Sequence, residues 1–175
     1  MSKMNKLIGY HGTTPENAEL ILEQKYFKPS RRKNEWLGDG VYFFVHKSWA
    51  EKWVGIKYNS TEKSTVLQVT LEYLNEQLID LDDPNQYDKL SELVIHFCKI
   101  DKSVDDVDFS NKSPEEQICF ACNILKRLDK KICIMMYTFS KENSKNYFPY
   151  PRNQKQVCVN NQSIIKSIKI MHRKE

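Results

Sequence analysis

Four kinds of side chain set out what this chain could do chemically: a histidine at a strand end, aromatics beside glycines, a late glutamine, and cations mixed with aromatic rings. His11 closes the apolar stretch KLIGY and stands between Tyr10 and Gly12. An imidazole there either caps a strand or belongs to a site. Further on, WLGDGVYFF sets Gly38 and Gly40 around Asp39, just before Tyr42, and Trp53 follows on a segment with helical spacing. Taken singly, Tyr42 and Trp53 read equally well as core aromatics. Near the C-terminus Gln156 opens QVCVNN, preceded by NYFPYPRNQK, in which Tyr147, Phe148 and Tyr150 alternate with Arg152 and Lys155. Rings interleaved with cations suit stacking on bases and contact with phosphate, and the same loop also reads as a proline-braced connection. The basic turn SRRK (30–33) has the same two readings. His46, His96 and His172 lack companions at metal-ligand spacing, and the pair Cys119 and Cys122 lacks a second pair, so no metal is expected.

In combination, His11-Gly12-Thr13, then Gly38-Asp39-Gly40-Val41-Tyr42-Phe43, then QVCVNN resemble the ADP-ribosyltransferase superfamily, in the branch similar to poly(ADP-ribose) polymerases. That branch carries His-Gly-Thr first, Gly-x-Gly-Ile/Val-Tyr-Phe second, and a glutamate opening a late strand. It also places an aromatic ring on the helix after the motif tyrosine, where Trp53 stands. Motif identity is confined to residues 10–14, 37–53 and 155–160. The resemblance implies a compact α+β fold with a split, mostly antiparallel β-core around an NAD cleft. His11 would hydrogen-bond the adenosine ribose, Gly12 would let its backbone approach the nicotinamide carboxamide, and Thr13 would be a further cofactor-binding residue. Tyr42 and Trp53 would clamp the flat, partly cationic ring between two π-faces.

The resemblance breaks at Gln156, which stands where the family has its catalytic glutamate. A glutamine still accepts a hydrogen bond but brings no negative charge to an oxocarbenium-like transition state. The rate should therefore suffer more than binding. Three explanations fit: an inactive or binding-only relative, an active variant mechanism, or a glutamate replaced by glutamine to disable a toxic enzyme. Gln154, two positions earlier, matches a position that helps select the acceptor in other branches, so Tyr150, Arg152 and Gln154 are expected on the acceptor side.

The elements that must hold these residues can be read along the chain. TTPENAELILEQ begins a helix, with Thr14 as N-cap, Pro15 in the first helical position, and Ala18, Ile21 and Leu22 on one face. VYFFV reads as a strand and KSWAEKWVGIKY as a helix with Trp49, Ala50, Trp53 and Val54 on one side. STVLQVTLE alternates as a strand should, and NEQLIDLDD is a further short strand candidate. PNQYDKLSELVIHFCKI is the longest amphipathic helix, and SPEEQICFACNILKRL is a helix opened by a capping box, Ser113 with Glu116. KICIMMYTF is a continuous apolar strand, and KQVCVNN and SIIKSIKIM read as two last strands joined by an asparagine-containing turn.

The chain of 175 residues, 40% hydrophobic, suits one globular domain spanning 1–175. Its 27 basic and 23 acidic residues leave a net charge of +4, compatible with a nucleic-acid partner without requiring one. Five cysteines among apolar neighbours, with neither a signal peptide nor an apolar membrane span, point to a reduced, cytoplasmic protein without membrane association. The expected function is an NAD-dependent mono-ADP-ribosyltransferase that uses NAD as substrate and needs no metal. By analogy with small bacterial toxin domains of toxin–antitoxin or phage-defence systems, the acceptor would be DNA or RNA rather than protein, and an antitoxin would be a partner. The rival readings are an NAD- or ADP-ribose-binding relative without turnover and an enzyme similar to RNA 2′-phosphotransferases.

Overall fold

The computed structural model describes residues 3–33, 35–58, 64–100, 111–141 and 152–173. Strand β1 (Met4–Thr13) runs straight into helix α1 (Pro15–Gln24), and the turn is encoded locally. Thr14 Oγ1 accepts from the Asn17 amide at 3.3 Å, and Pro15 opens the helix where its missing N–H loses no bond. There follow β2 (Val41–Phe44), α2 (Lys47–Tyr58), β3 (Thr65–Leu74), β4 (Leu78–Asp80), α3 (Pro84–Ile100), α4 (Pro114–Leu128), β5 (Ile134–Lys141), β6 (Arg152–Val159) and β7 (Ile165–Arg173). The capping box of α4 forms as its spacing predicts: Glu116 N donates to Ser113 Oγ, and Ser113 N to Glu116 Oε2.

The architecture is α+β, with a seven-stranded sheet in the order β4-β5-β6-β2-β1-β3-β7. Neighbours are antiparallel except β4 and β5. β1 pairs with β3 along its whole length, from Met4 with Leu74 to Thr13 with Thr65. Its pairing with β2 is different: among the described residues one position joins them, Tyr10 with Phe44. The sheet is thus continuous through a single contact and otherwise parts into β4-β5-β6-β2 and β1-β3-β7.

Period-two alternation distributes the core over both faces. Ile134 and Met136 of β5, with Val157 and Val159 of β6, pack with Phe27, Phe43, Leu67 and Val69. The intervening Met135 and Cys158 turn to the other face, against Leu37, Leu90, Ala121 and Cys122. Burial on both sides explains why KICIMMYTF is apolar without interruption. Cys119, Cys122, Cys133 and Cys158 are buried free thiols. Trp49 is only partly buried, beside Phe44, Ala50 and Val66, and its indole N–H donates to Asn153 O at 3.2 Å.

Two local expectations are corrected. NEQLIDLDD is not a strand throughout: Asn75–Gln77 form a 3-10 turn, because Gln77 Oε1 accepts from Leu74 N at 2.8 Å, and only Leu78–Asp80 are extended. The last two strands are not neighbours either. Asn161 Oδ1 accepts from Ser163 N at 3.1 Å and starts the 3-10 turn Gln162–Ile164, which carries the chain from β6, between β5 and β2, to β7 at the far edge beyond β3. Gln162 pins this crossing by accepting from Phe27 N at 2.9 Å and donating to Phe27 O at 2.7 Å. Among the described residues no helix is long and apolar enough to cross a membrane.

Candidate functional site

Where β1 and β2 part, a cleft of about 790 Å³ opens, within the size range of small-molecule and cofactor sites. His11, Gly12 and Thr13 from β1, Tyr42 from β2, Trp53 from α2 and Gln156 from β6 all stand on its wall. Six residues picked from three separated motifs therefore share one cavity.

His11 bridges the parting. Its Nδ1 lies 2.9 Å from Tyr42 O, a carbonyl that can only accept, so Nδ1 carries the proton and Nε2 keeps its lone pair in the neutral ring. Burial pushes the imidazole pKa below its ordinary value; the bond to Tyr42 O works the other way, and Lys57 adds to the lowering. The edges of Phe27 and Phe43 meet the ring at centroid distances of 5.3 and 5.8 Å. The site thus holds a fixed, uncharged hydrogen-bond acceptor.

Gly12 is explained by what stands behind it. A Cβ there would lie 2.2 Å from Val54 Cγ2 and 2.5 Å from Ala50 O, so glycine is what lets α2 seat against β1. Through that contact α2 carries Trp53 and Lys57 to the cleft wall. Trp53 remains 42% exposed, with the Phe44 ring 6.5 Å away, which leaves indole surface open to a ligand. Thr13 is buried at the end of β1.

Tyr42 is held by the loop that precedes it. Its hydroxyl donates to Gly38 O at 2.7 Å and accepts from Leu37 N at 3.0 Å. Burial, foremost, raises the phenol pKa far above its usual value, so this donor stays protonated. The loop is fixed from α4: buried Lys126 donates to Leu37 O at 2.5 Å, to Asp39 O at 2.8 Å and to Cys158 Sγ at 3.4 Å. Asn123 clasps Asp39 twice, through its backbone amide at 2.7 Å and its carboxylate at 3.1 Å. Gly38 takes a left-handed φ of 73°, and a side chain there would strike Asn123.

Gln156 is half-buried in mid-sheet, paired with Phe44 on one side and Tyr137 on the other. The acceptor-side assignments do not come together in the same way. Tyr150 lies outside the described residues, Arg152 is described as backbone at the start of β6, and Gln154 pairs with Phe139 away from the cleft wall. Lys155 is engaged elsewhere, 2.7 Å from Asp82 and 3.5 Å from Asp80. The SRRK turn does reach the site, since Ser30 and Arg32 line the cleft.

Sequence reasoning missed Lys28, Glu35 and Trp36, which also stand on the wall. They arrive on the aperiodic connection between α1 and β2, where no spacing marks them. A backbone bridge, Ser30 N to Gly40 O at 2.8 Å and Gly40 N to Ser30 O at 3.1 Å, closes that loop against the strand. Lys28, Arg32 and Lys57 give the cleft three cations against the one carboxylate of Glu35 among the described residues. Such a balance favours an anionic ligand. Among the described residues, no three His, Cys, Asp or Glu side chains gather as a metal site requires.

No protein-family model matches the chain. Over 48 residues it is 48% identical to an uncharacterized protein of Methanocaldococcus jannaschii, a segment that is 27% of this chain and 22% of that protein. The chain thus matches less than a quarter of that relative's length.

Proposed function

We propose that this cleft binds NAD and that the chain is an ADP-ribosyltransferase of the fold its motifs resemble, transferring ADP-ribose to a macromolecule. One observation carries the reading: His11, Gly12, Thr13, Tyr42, Trp53 and Gln156, distant in sequence, line a single cavity where the sheet parts. The chemistry of the wall supports it. Neutral His11 Nε2 is suited to accept from a ribose hydroxyl, and the Tyr42 and Trp53 rings suit a flat, electron-poor nicotinamide. Lys28, Arg32 and Lys57 suit a pyrophosphate. In the reaction the bond between ribose C1′ and the nicotinamide nitrogen breaks, its electron pair leaving with neutral nicotinamide. An acceptor oxygen or nitrogen then bonds C1′ and loses its proton to solvent. The net charge of +4 favours a nucleic-acid acceptor over a protein one. A binding-only relative is the second reading, favoured by the uncharged Gln156.

NAD titration followed by tryptophan fluorescence and calorimetry tests the binding step, with Trp53→Phe separating that ring from Trp36. Saturable quenching that shrinks in Trp53→Phe is expected; no heat and no quenching would remove the cleft assignment. Labelled NAD incubated with separate DNA, RNA and protein pools then identifies the acceptor, with Gln156→Glu in parallel. Binding without label transfer by either form would favour the second reading.

A further inference from the structure

We propose that Glu35 supplies, from the loop before β2, the negative charge that Gln156 does not bring to glycosidic-bond cleavage; this rests on the reading of the cleft as an NAD site. Glu35 is the one acidic side chain on the cleft wall among the described residues. It is also held in place. The Ser30 hydroxyl donates to Glu35 Oε1, Gly38 N donates to Glu35 O at 2.9 Å, and the Ser30–Gly40 bridge closes the loop around both. It rides on the loop that anchors the ring expected to face nicotinamide: the Tyr42 hydroxyl is held by Leu37 N and Gly38 O, two and three residues beyond Glu35.

The chemistry calls for a negative charge on the cleft wall. As the C1′–N bond opens, its electron pair moves onto the nicotinamide nitrogen and positive charge appears on ribose C1′ and O4′. An acceptor oxygen closes on C1′ and releases its proton to solvent, so atoms and charge balance without another reactant. The cations on the same wall are matched to the pyrophosphate and do nothing for that developing charge, and Gln156 offers only a dipole against it. A fixed carboxylate is the group on this wall able to offset it, and removing one preorganised charge-stabilising group typically lowers rates by about 10²–10³.

Nicotinamide release and NAD affinity are to be measured together for the natural chain, Glu35→Gln, Ser30→Ala and Glu35→Gln combined with Gln156→Glu. Glu35→Gln should lose at least about 100-fold in kcat with its NAD Kd within about twofold. Ser30→Ala, which frees the carboxylate without removing it, should lose less. The combined variant should regain most of the lost rate, showing that charge rather than fold was missing. Glu35→Gln retaining a rate within threefold of the natural chain would overturn the proposal. So would a natural chain that binds NAD and releases no nicotinamide, an outcome that leaves the cleft assignment standing. Absence of NAD binding would instead remove that assignment and the proposal with it.

Discussion

At the scale of single residues, His11 does two jobs with its two nitrogens. Nδ1–H fills the Tyr42 carbonyl where strand pairing stops, and Nε2 is left as a neutral acceptor. Because burial lowers its pKa below 6.5, the unfolded chain binds the proton more readily than the folded one over the interval between the two values. Stability therefore rises with pH across that interval. The His11 contribution is complete above about pH 6.5 and is lost as pH falls toward the depressed folded-state value. Melting temperature measured from pH 7.5 down to 5 should fall more steeply for the natural chain than for His11→Asn. Asparagine keeps an N–H donor for the Tyr42 carbonyl but does not titrate. Equal slopes would show that another group governs the acid response. NAD affinity should follow the same direction, weakening on acidification, since a protonated Nε2 no longer accepts. That His11, Tyr42 and Trp53 belong together was legible because each sits in a short motif, and the fold puts all three on one cleft wall. Glu35 and Lys126 were not: a glutamate in a polar loop and a lysine near a helix end both read as solvent-facing charges. Only the folded chain shows one on the cleft wall and the other buried beneath it.

At the scale of elements, α2 and α4 position the site by different physics. α2 is set by close approach, with Gly12 of β1 against Ala50 and Val54. Gly12→Ala should cost about 1–3 kcal/mol, read by urea unfolding, because one of its two clashes is with a backbone oxygen that cannot rotate away. Adding Val54→Ala should relieve only part of this, and full relief would show that the Ala50 carbonyl gives way. α4 acts through a buried cation, Lys126, whose ammonium fills the Leu37 and Asp39 carbonyls. Lys126→Met keeps the stem and strips these carbonyls of their donor, a loss of about 1–3 kcal/mol for each one left dry. A variant as stable as the natural chain would mean that water replaces the ammonium. Because the same carbonyls frame Gly38, the acceptor of the Tyr42 hydroxyl, NAD affinity should fall along with stability. Elements with strong periodicity or caps, such as α1 and α4, could be placed from the amino-acid pattern alone. The separation of β6 from β7 could not, because it depends on Gln162 meeting Phe27, a contact 135 residues apart in sequence.

For the whole molecule, the parted sheet makes ligand binding and cohesion one problem. Among the described residues, hydrogen bonds between the strands of the half containing β1, β3 and β7 and those of the half containing β4, β5, β6 and β2 are confined to the Tyr10–Phe44 pair and the His11–Tyr42 bond, while Leu67 and Val69 of one half share a core with Ile134 and Val157 of the other. α2, which follows β2 in the chain, packs back on β1 at Gly12 and reaches β6 through Trp49 and Asn153. Gln162, between β6 and β7, grips Phe27. The β1–β3 and β5–β6 ladders, by contrast, are paired continuously. Opening of the native state should therefore begin along the parting rather than within either half. A ligand that touches His11 on one side and Tyr42 and Gln156 on the other adds contacts across that line. NAD at a hundredfold excess over its Kd should stabilise the fold by about 2.7 kcal/mol. For a chain of this size that is a rise of roughly 5–10 °C in melting temperature. The location of the effect is the more discriminating readout. Amide hydrogen exchange should slow at Tyr10–Thr13 and Val41–Phe44, whose opening breaks the cleft, and in amides that open only with the whole fold, and least where local opening leaves the cleft intact, as at the outer strand β4. Protection confined to β4 and β5, with none at Tyr10–Thr13 and Val41–Phe44, would mean that NAD does not bind across the parting and that the cleft assignment fails at the level of the whole fold.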